Sequence, residues 1–251
     1  MKRSVLVLVT ALVASLLPTL AQADDSPLSF NVGAVSDYRY RGISQSRLGP
    51  ALQGGADYAQ GPFYAGTWLS TIQWVKDAGR AVGADSGNAP VEWDLYGGFK
   101  GEIAKDASYD VGLLGYIYLG ENFGNIGAPS PNTGEVYGAL TFGPVTGKVS
   151  VSLTDLFGYT DSKGSTYFDL SANFDIGHGF SLVPHVGYQD VANNDAASYT
   201  DYSLTLAKDF GKGLSATLAV VGTDGDQSVY HTSGGQSTAD TAVVVGVKYT
   251  F

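Results

Sequence analysis

The chain has 251 residues, with 24 acidic and 14 basic side chains, three histidines and no cysteine. A sequence without cysteine excludes disulfides and thiolate metal sites, and the acidic balance argues against a nucleic-acid partner. Glycine (34 residues) and tyrosine (16 residues) are abundant, and such a composition is typical of a β-sandwich or β-barrel with many short strands and tight turns.

The first residues predict a targeting segment. Two basic residues precede an apolar run at 5–17, and Ala-Gln-Ala at 21–23 has the form of a cleavage site. These are the parts of a secretory signal peptide. We therefore expect residues 1–23 to be removed and residues 24–251 to form a single domain. Without the two basic residues, twelve basic side chains stand against 24 acidic ones, a net charge of −12.

Alternation of apolar and polar residues predicts about twelve strands, although ten or fourteen also fit the pattern. The predicted strands span residues 28–42, 51–60, 63–75, 91–100, 108–120, 134–142, 147–156, 165–176, 180–190, 199–210, 214–223 and 240–251. Their connections alternate between short and long, as in outer-membrane barrels with short periplasmic turns and longer outer loops. An even number of strands places both termini on the periplasmic side.

The last nine residues, Val243–Phe251, show the alternation most clearly. Every second residue back from Phe251 is apolar, and the strand ends on an aromatic pair, Tyr249 and Phe251. The alternative is the edge strand of a soluble sandwich, but the sorted loops and polar second faces of the other strands favour a membrane. We therefore predict an all-β fold, a transmembrane antiparallel up-and-down β-barrel. After the signal peptide no stretch approaches 18 apolar residues, so no transmembrane helix is expected.

Four segments carry a family resemblance. The sequence Ser-Asp-Tyr-Arg-Tyr-Arg-Gly-Ile-Ser-Gln-Ser occupies 36–46, Pro-Ala-Leu-Gln-Gly-Gly occupies 50–55, Phe-Tyr-Ala-Gly-Thr-Trp occupies 63–68, and Glu-Trp-Asp-Leu-Tyr-Gly-Gly-Phe occupies 92–99. Together they resemble the TorF-type porin family of proteobacterial outer membranes. Leu-Ser-Thr-Ile at 69–72 departs from the Gly-Ser-Asn-Val usual in that family. The resemblance implies an outer-membrane porin and supplies no solute. The aromatic terminus also resembles the signal that barrel-assembly machinery recognises.

Charged residues on the predicted inward faces are the candidate site. Charges on the lipid face would cost about 2–4 kcal/mol each at the bilayer midplane, so we expect them to point into the lumen. They either line a pore and set ion selectivity or form a salt-bridge network that braces or plugs the barrel. The net charge indicates a weak cation preference. The candidates are Asp37, Arg39, Arg41, Asp57, Glu92, Asp94, Glu135, Lys148, Asp169 and Lys248.

Aromatic residues near predicted strand ends or on apolar faces are candidate anchors at the membrane interface, where tryptophan and tyrosine are enriched. We predict this role for five residues: Trp68, Trp74, Trp93, Tyr249 and Phe251.

Two main functions fit the sequence. The first is a passive outer-membrane channel for small hydrophilic solutes or ions, and the second is a closed barrel with a structural or surface-interaction role. An enzyme is a third reading, with Asp224, Asp226 and His231 nearest to a protease-like group. The pattern predicts no catalytic site, no metal and no cofactor. Expected partners are outer-membrane lipid and lipopolysaccharide, barrel-assembly machinery through the Phe251 strand, and small solutes.

Overall fold

A computed structural model describes residues 26–251, so the predicted targeting segment at 1–23 lies outside the described residues. Twelve antiparallel strands form a closed barrel, as predicted. They are β1 (Leu28–Val35), β2 (Ala51–Gln60), β3 (Phe63–Thr71), β4 (Val91–Ala104), β5 (Ala107–Ile117), β6 (Thr133–Phe142), β7 (Val145–Ser152), β8 (Thr166–Ala172 with Phe174–Gly177), β9 (Phe180–Asp190), β10 (Tyr199–Gly211), β11 (Leu214–Thr223) and β12 (Ala242–Thr250).

The first and last strands close the barrel. Asn31 of β1 lies opposite Thr250 of β12, and Val32 lies opposite Tyr249. On its other side β1 pairs with β2 over its whole length, and β8 continues the ring to β9. Within residues 26–251, closure leaves none of the twelve wall strands with an unpaired edge, which is the condition for backbone to cross hydrocarbon without exposed polar groups.

Two-residue turns gather at one end of the barrel, here called the short-turn end. They join β2 to β3, β4 to β5, β6 to β7, β8 to β9 and β10 to β11. The turn residues His178 and Gly179 have φ of 56° and 75°, and Lys212 and Gly213 have φ of 53° and 83°. Positive φ at both central positions is what a type I′ hairpin turn requires. His178 is therefore a turn residue between β8 and β9.

The other six connections form the long-loop end: residues 36–50, 72–90, 118–132, 153–165, 191–198 and 224–241. The second of these contains the helix α1 (Trp74–Ala81), where a loop and the end of a strand were predicted. Short 3₁₀ helices at Phe123–Ile126 and Asp195–Ala197 lie in two others. In the described part of the chain, no helix has the length and apolar character needed to cross a membrane.

The outer surface of the barrel is apolar and exposed. Alternate apolar residues are exposed on every strand; Leu113, for example, is 57% exposed and Leu170 is 52% exposed. Aromatic side chains cluster outside the short-turn end, where Phe251 stacks on Phe30 and on Tyr249. Soluble proteins rarely expose apolar surface on this scale. The surface has the pattern of a lipid-facing band with an aromatic girdle.

The interior differs between the two halves of the barrel. Toward the long-loop end, it is filled by a cluster of buried aromatic and aliphatic side chains: Tyr38, Ala51, Trp68, Ile72, Val75, Ala89, Leu114, Tyr116, Tyr118 and Phe123. Toward the short-turn end, alternate residues are polar, among them Thr146, Lys148 and Thr205. The helix α1 contributes Val75 to the buried cluster, and this packing ends β3 at Thr71 rather than at the predicted residue 75.

Candidate functional site

The first long connection does not extend the wall of the barrel but folds into its lumen. The prediction of one strand over 28–42 is wrong, since β1 ends at Val35. Residues 36–50, here called the inner hairpin, contain two short paired strands, Arg39–Tyr40 and Ile43–Ser44. The hairpin is therefore a separate element inside the barrel.

Asp37 organises the inner hairpin. Its carboxylate accepts hydrogen bonds from Arg39 Nε at 2.8 Å, from Ser44 Oγ at 2.5 Å and from Ser46 Oγ at 3.2 Å. The Ser46 hydroxyl also accepts a bond from the backbone N–H of Tyr38. Side-chain bonds to nearby groups compete with a strand ladder, and these contacts explain why alternation failed to predict the turn.

The tip of the hairpin is held by its backbone and by contacts across the lumen. Arg41 and Gly42 have φ of 46° and 80°, the pair of positive values that a tight turn requires. Arg39 Nη1 donates to the carbonyl oxygens of Gly42 and Asp240 at 3.0 and 2.7 Å. Arg39 thus secures the turn and ties the hairpin to the last long loop.

Arg41 reaches three strands of the opposite wall. Its Nη2 lies 3.0 and 2.8 Å from the two carboxylate oxygens of Glu135 on β6, and its Nη1 donates to Gln189 Oε1 on β9 at 2.6 Å. The guanidinium carbon sits 4.1 Å from the ring centre of Tyr167 on β8 and 4.8 Å from that of Tyr40. Arg41 therefore fastens the hairpin inside the barrel, which favours the bracing interpretation of this residue.

Glu92 and Asp94 lie on β4 beside the hairpin. Tyr38 and Tyr118 donate their hydroxyls to the two oxygens of Glu92 at 2.5 and 2.7 Å. Asp94 is 2% exposed, and its Oδ1 has no hydrogen-bonding partner among residues 26–251. Asp94 lies within electrostatic range of both Glu92 and Glu135. The inner hairpin thus faces three buried carboxylates, of which Arg41 pairs with one.

The other predicted charges occupy the inner wall nearer the short-turn end. Asp57 accepts a hydrogen bond from Tyr96 and lies within electrostatic range of Lys248. The Lys148 ammonium lies 4.2 Å from the ring centre of Tyr137. Of these charged residues, Lys148 lines the cavity, whereas Asp57 and Lys248 are not among its lining residues within 26–251.

A histidine cluster on β8, β9 and β10 was not singled out from the sequence as a site. His185 Nε2 lies 2.7 Å from Asp169 Oδ2, and His185 Nδ1 lies 3.5 Å from Asp201 Oδ1. The Tyr167 hydroxyl donates to Asp201 Oδ2 at 2.9 Å. Alternation predicted the inward direction of Asp169, but the register between these neighbouring strands decides which residues it meets.

The long loops are joined by a carboxylate outside the barrel wall. Asp77 on α1 accepts hydrogen bonds from Arg47 at the base of the hairpin and from Ser233 in the last loop. Burial alone would raise the pKa of Asp77, but these hydrogen bonds from Arg47 and Ser233 lower it below its ordinary value. We call Asp77, Arg47 and Ser233 the loop latch.

The predicted interface aromatics divide into two groups. Trp93, Tyr249 and Phe251 lie on the outward face, and Trp93 Nε1 donates to Thr67 Oγ1 at 2.7 Å. Trp68 is buried inside, with its ring 5.4 Å from that of Tyr38. Trp74 begins α1 and packs on Tyr118 and Phe123. The prediction for these two tryptophans is wrong, because Trp68 faces the hairpin inside the barrel and the chain turns into a helix at Trp74 instead of continuing the predicted strand.

A cavity of about 1050 Å³ fills the short-turn half of the barrel, and charged residues such as Lys100, Asp110 and Lys148 are among those that line it. Its mouth is lined by turn residues such as Pro62, Pro144 and His178, and its inner end by Tyr38 and Gly42 of the hairpin. Within residues 26–251, its lining includes no residue of the five other long connections. The cavity thus opens at the short-turn end and stops at the inner hairpin.

Solved structures with the same architecture are porins. The KdgM porin covers 89% of this chain and is itself covered over 99%, with a TM-score of 0.54 and 9% identity. The NanC porin gives a TM-score of 0.52 at 12% identity, with 89% of this chain and 98% of that chain covered. A structure described as KdgM porin in complex with disordered oligogalacturonate gives 0.52 at 6% identity, with the same coverage. At these identities the similarity shows a porin-like fold.

A comparison with curated proteins finds no match. A family model, described as "Bacterial protein of unknown function (Gcw_chp)", matches residues 21–251. The TorF-type name that the sequence predicts is absent from that description and stays a prediction. Since the match spans nearly the whole sequence, the chain belongs to the Gcw_chp family of bacterial proteins.

Proposed function

We propose that this protein is an outer-membrane channel through which small hydrophilic solutes or ions diffuse passively, and that the inner hairpin closes its resting state. One observation carries the proposal: a cavity of about 1050 Å³, with charged side chains in its lining, lies inside a barrel whose outer surface is apolar. About eight strands are filled by their own side chains and sixteen to eighteen leave an open pore. Twelve strands leave room for both a plug and a passage.

The proposed setting follows from the surface. The apolar band would contact outer-membrane lipid and lipopolysaccharide, with the short turns and both termini facing the periplasm. The outward Tyr249 and Phe251 support recognition of the last strand by barrel-assembly machinery. In this orientation the cavity opens to the periplasm and the loop latch faces the cell exterior. The TorF-type porin name is consistent with this setting.

Planar-bilayer recording tests the channel directly. Purified protein inserted into a planar bilayer in concentrated KCl is expected to produce discrete conductance steps. Heat-denatured protein in the same detergent is the control. A silent membrane over many insertions, with the folded barrel verified in the same preparation, would refute the channel.

The second candidate is a closed barrel with a structural or surface-interaction role. It is favoured by the hairpin, which ends the cavity, and by the ordered contacts among the long loops. It predicts no conductance and a partner bound by loops such as 76–90 and 224–239. Solute uptake in a porin-deficient bacterial strain separates the two, because only the channel restores uptake.

A further inference from the structure

Inside the barrel, the guanidinium of Arg41 is bound as a ligand would be. Glu135 meets it with both carboxylate oxygens, at 3.0 and 2.8 Å, and Gln189 accepts a third hydrogen bond at 2.6 Å. Tyr40 and Tyr167 present their ring faces to it. A bidentate carboxylate and aromatic faces are the features that recognise a planar organic cation.

Buried carboxyl groups near this site outnumber the one that Arg41 pairs with. Asp94 lies within electrostatic range of Glu92 and of Glu135, and each of the three is 2% exposed. Glu92 is satisfied by tyrosine hydroxyls, whereas Asp94 Oδ1 has no partner among the described residues. A buried carboxylate without a partner is costly. Asp94 Oδ1 is thus a hydrogen-bond acceptor near Glu135 that a donor group of a solute could satisfy.

The site lies just beyond the cavity. Tyr38, Arg39 and Gly42 of the inner hairpin line the inner end of the cavity, while Glu135 and Asp94 are not among its lining residues within 26–251. A solute entering from the short-turn end would therefore meet the hairpin first. It could reach these carboxylates only by displacing Arg41.

We propose that Glu135, Asp94 and the tyrosines around them form a selectivity site for solutes that bear a guanidinium or ammonium group, and that Arg41 occupies this site until such a solute displaces it. This inference rests on the proposed channel and names its class of solute. The hairpin acts as a built-in competitor, because a solute that binds the same carboxylates shifts the equilibrium toward the displaced hairpin. A neutral or anionic solute has no differential affinity and leaves the hairpin seated.

A binding experiment that needs no conductance tests the site. Full-length protein in detergent is titrated with methylguanidinium, which matches the Arg41 head group, and with N-methylurea, its neutral isostere. The readout is the thermal unfolding midpoint, which rises by mass action when a ligand binds the folded state. In the variant Arg41→Ala the site is vacant, so the half-saturating concentration of methylguanidinium should fall about tenfold below that of the wild type.

The identity of the site is tested by a matched pair of substitutions. Glu135→Gln removes the bidentate carboxylate, and we expect it to abolish the response to methylguanidinium. Glu102→Gln makes the same chemical change at an exposed residue at the mouth of the cavity, and it should keep the response. Both comparisons can be made with Arg41 in place, so they stand even if Arg41→Ala does not fold.

A conductance measurement then distinguishes failure of the selectivity site from failure of the proposed channel. In KCl, methylguanidinium should raise the open time of wild-type channels saturably, and N-methylurea should not. If conductance steps occur but respond equally to both compounds or to neither, the selectivity site is wrong and the channel stands. A different outcome is that methylguanidinium raises the unfolding midpoint of the wild type and of Glu102→Gln, but not of Glu135→Gln, while every bilayer stays silent. In that case the cation site stands and the channel fails. Loss of both responses overturns the inference.

Discussion

The Asp77 carboxylate accepts two hydrogen bonds from the Arg47 guanidinium, at 2.6 and 2.7 Å. Arg47 stands where the inner hairpin returns to the wall, and Asp77 lies on α1 in the second long loop. Ser233, from the last long loop, donates to the same carboxylate at 2.6 Å. One side chain thus connects three loops that are far apart in sequence, and it does so directly above the hairpin.

We expect the loop latch to open in strong acid. The pKa of Asp77 is lowered in the folded protein, so the latch is fully present above the ordinary aspartate pKa of about 3.9 and is lost as the pH falls through the lower, folded value. Hydrogen exchange of residues 74–81 and 224–241 should show constant protection from pH 7 to 5. The variant Asp77→Asn is the control, and its loops should show no acid-dependent loss of hydrogen-exchange protection. Loss of protection between pH 7 and 5 would contradict this account.

Replacing Asp77 by Asn at neutral pH should loosen the same loops. A charge-assisted hydrogen bond contributes about 1.5–3 kcal/mol, but Arg47 is about a third exposed, so we expect about 1 kcal/mol. Limited proteolysis of folded protein in detergent measures the effect as faster cleavage in the long loops. Asp226→Asn, at an exposed loop carboxylate, is the control and should leave cleavage unchanged.

Gly42→Ala should unseat the inner hairpin. At Gly42 φ is +80°, and an added Cβ would lie 2.3 Å from Thr223 Cγ2 and 2.9 Å from Asp201 Cβ. The positive φ costs about 1–2 kcal/mol, and the overlap adds about 1–3 kcal/mol. We expect a lower unfolding midpoint and, in the proposed channel, a larger open fraction in bilayers.

Gly83→Ala is the matched control for that change. Gly83 has a similar φ of +71° but nothing within 4 Å of the added Cβ, so only the backbone cost applies. The difference between the two variants measures how tightly the hairpin is seated. Equal midpoints for both would show that the hairpin yields easily to the added methyl group.

A charge on the outer surface should destabilise the barrel according to its depth. Leu113 lies within β5 and Leu119 beyond its end, and both are exposed. We expect Leu113→Arg to cost about 2–4 kcal/mol and Leu119→Arg about 0–1 kcal/mol, since the penalty falls toward the interface. Unfolding by urea in lipid vesicles provides the measurement. Similar costs at both positions would argue against the lipid-facing band.

The channel should prefer cations weakly. Residues 24–251 carry a net charge of −12, which is the basis for this expectation. In a KCl gradient the reversal potential is expected to favour potassium, and high salt should reduce the preference by screening. A reversal potential that favours chloride would exclude the cation preference.

Much of the wall could be predicted because a strand in a membrane barrel follows a local rule. Each residue faces either lipid or lumen, so alternation along the chain is sufficient to give the face. This rule placed Leu113 and Leu170 outside and Glu92, Asp94 and Lys148 inside, and loop lengths gave the order of the turns. The same rule failed at Trp68, since alternation assigns sides but does not say which side meets lipid when aromatic residues occur on both.

The amino-acid sequence by itself determined a barrel of about twelve strands, its sorted connections and the direction of most charged side chains. Only the tertiary structure decided that β1 stops at Val35, that the next residues fold inward, and that Arg41 ends against Glu135. The physical reason is that these contacts join residues distant in sequence across a closed lumen. A linear pattern records the period of one strand, whereas the partner of a buried charge is set by how all the strands close around it.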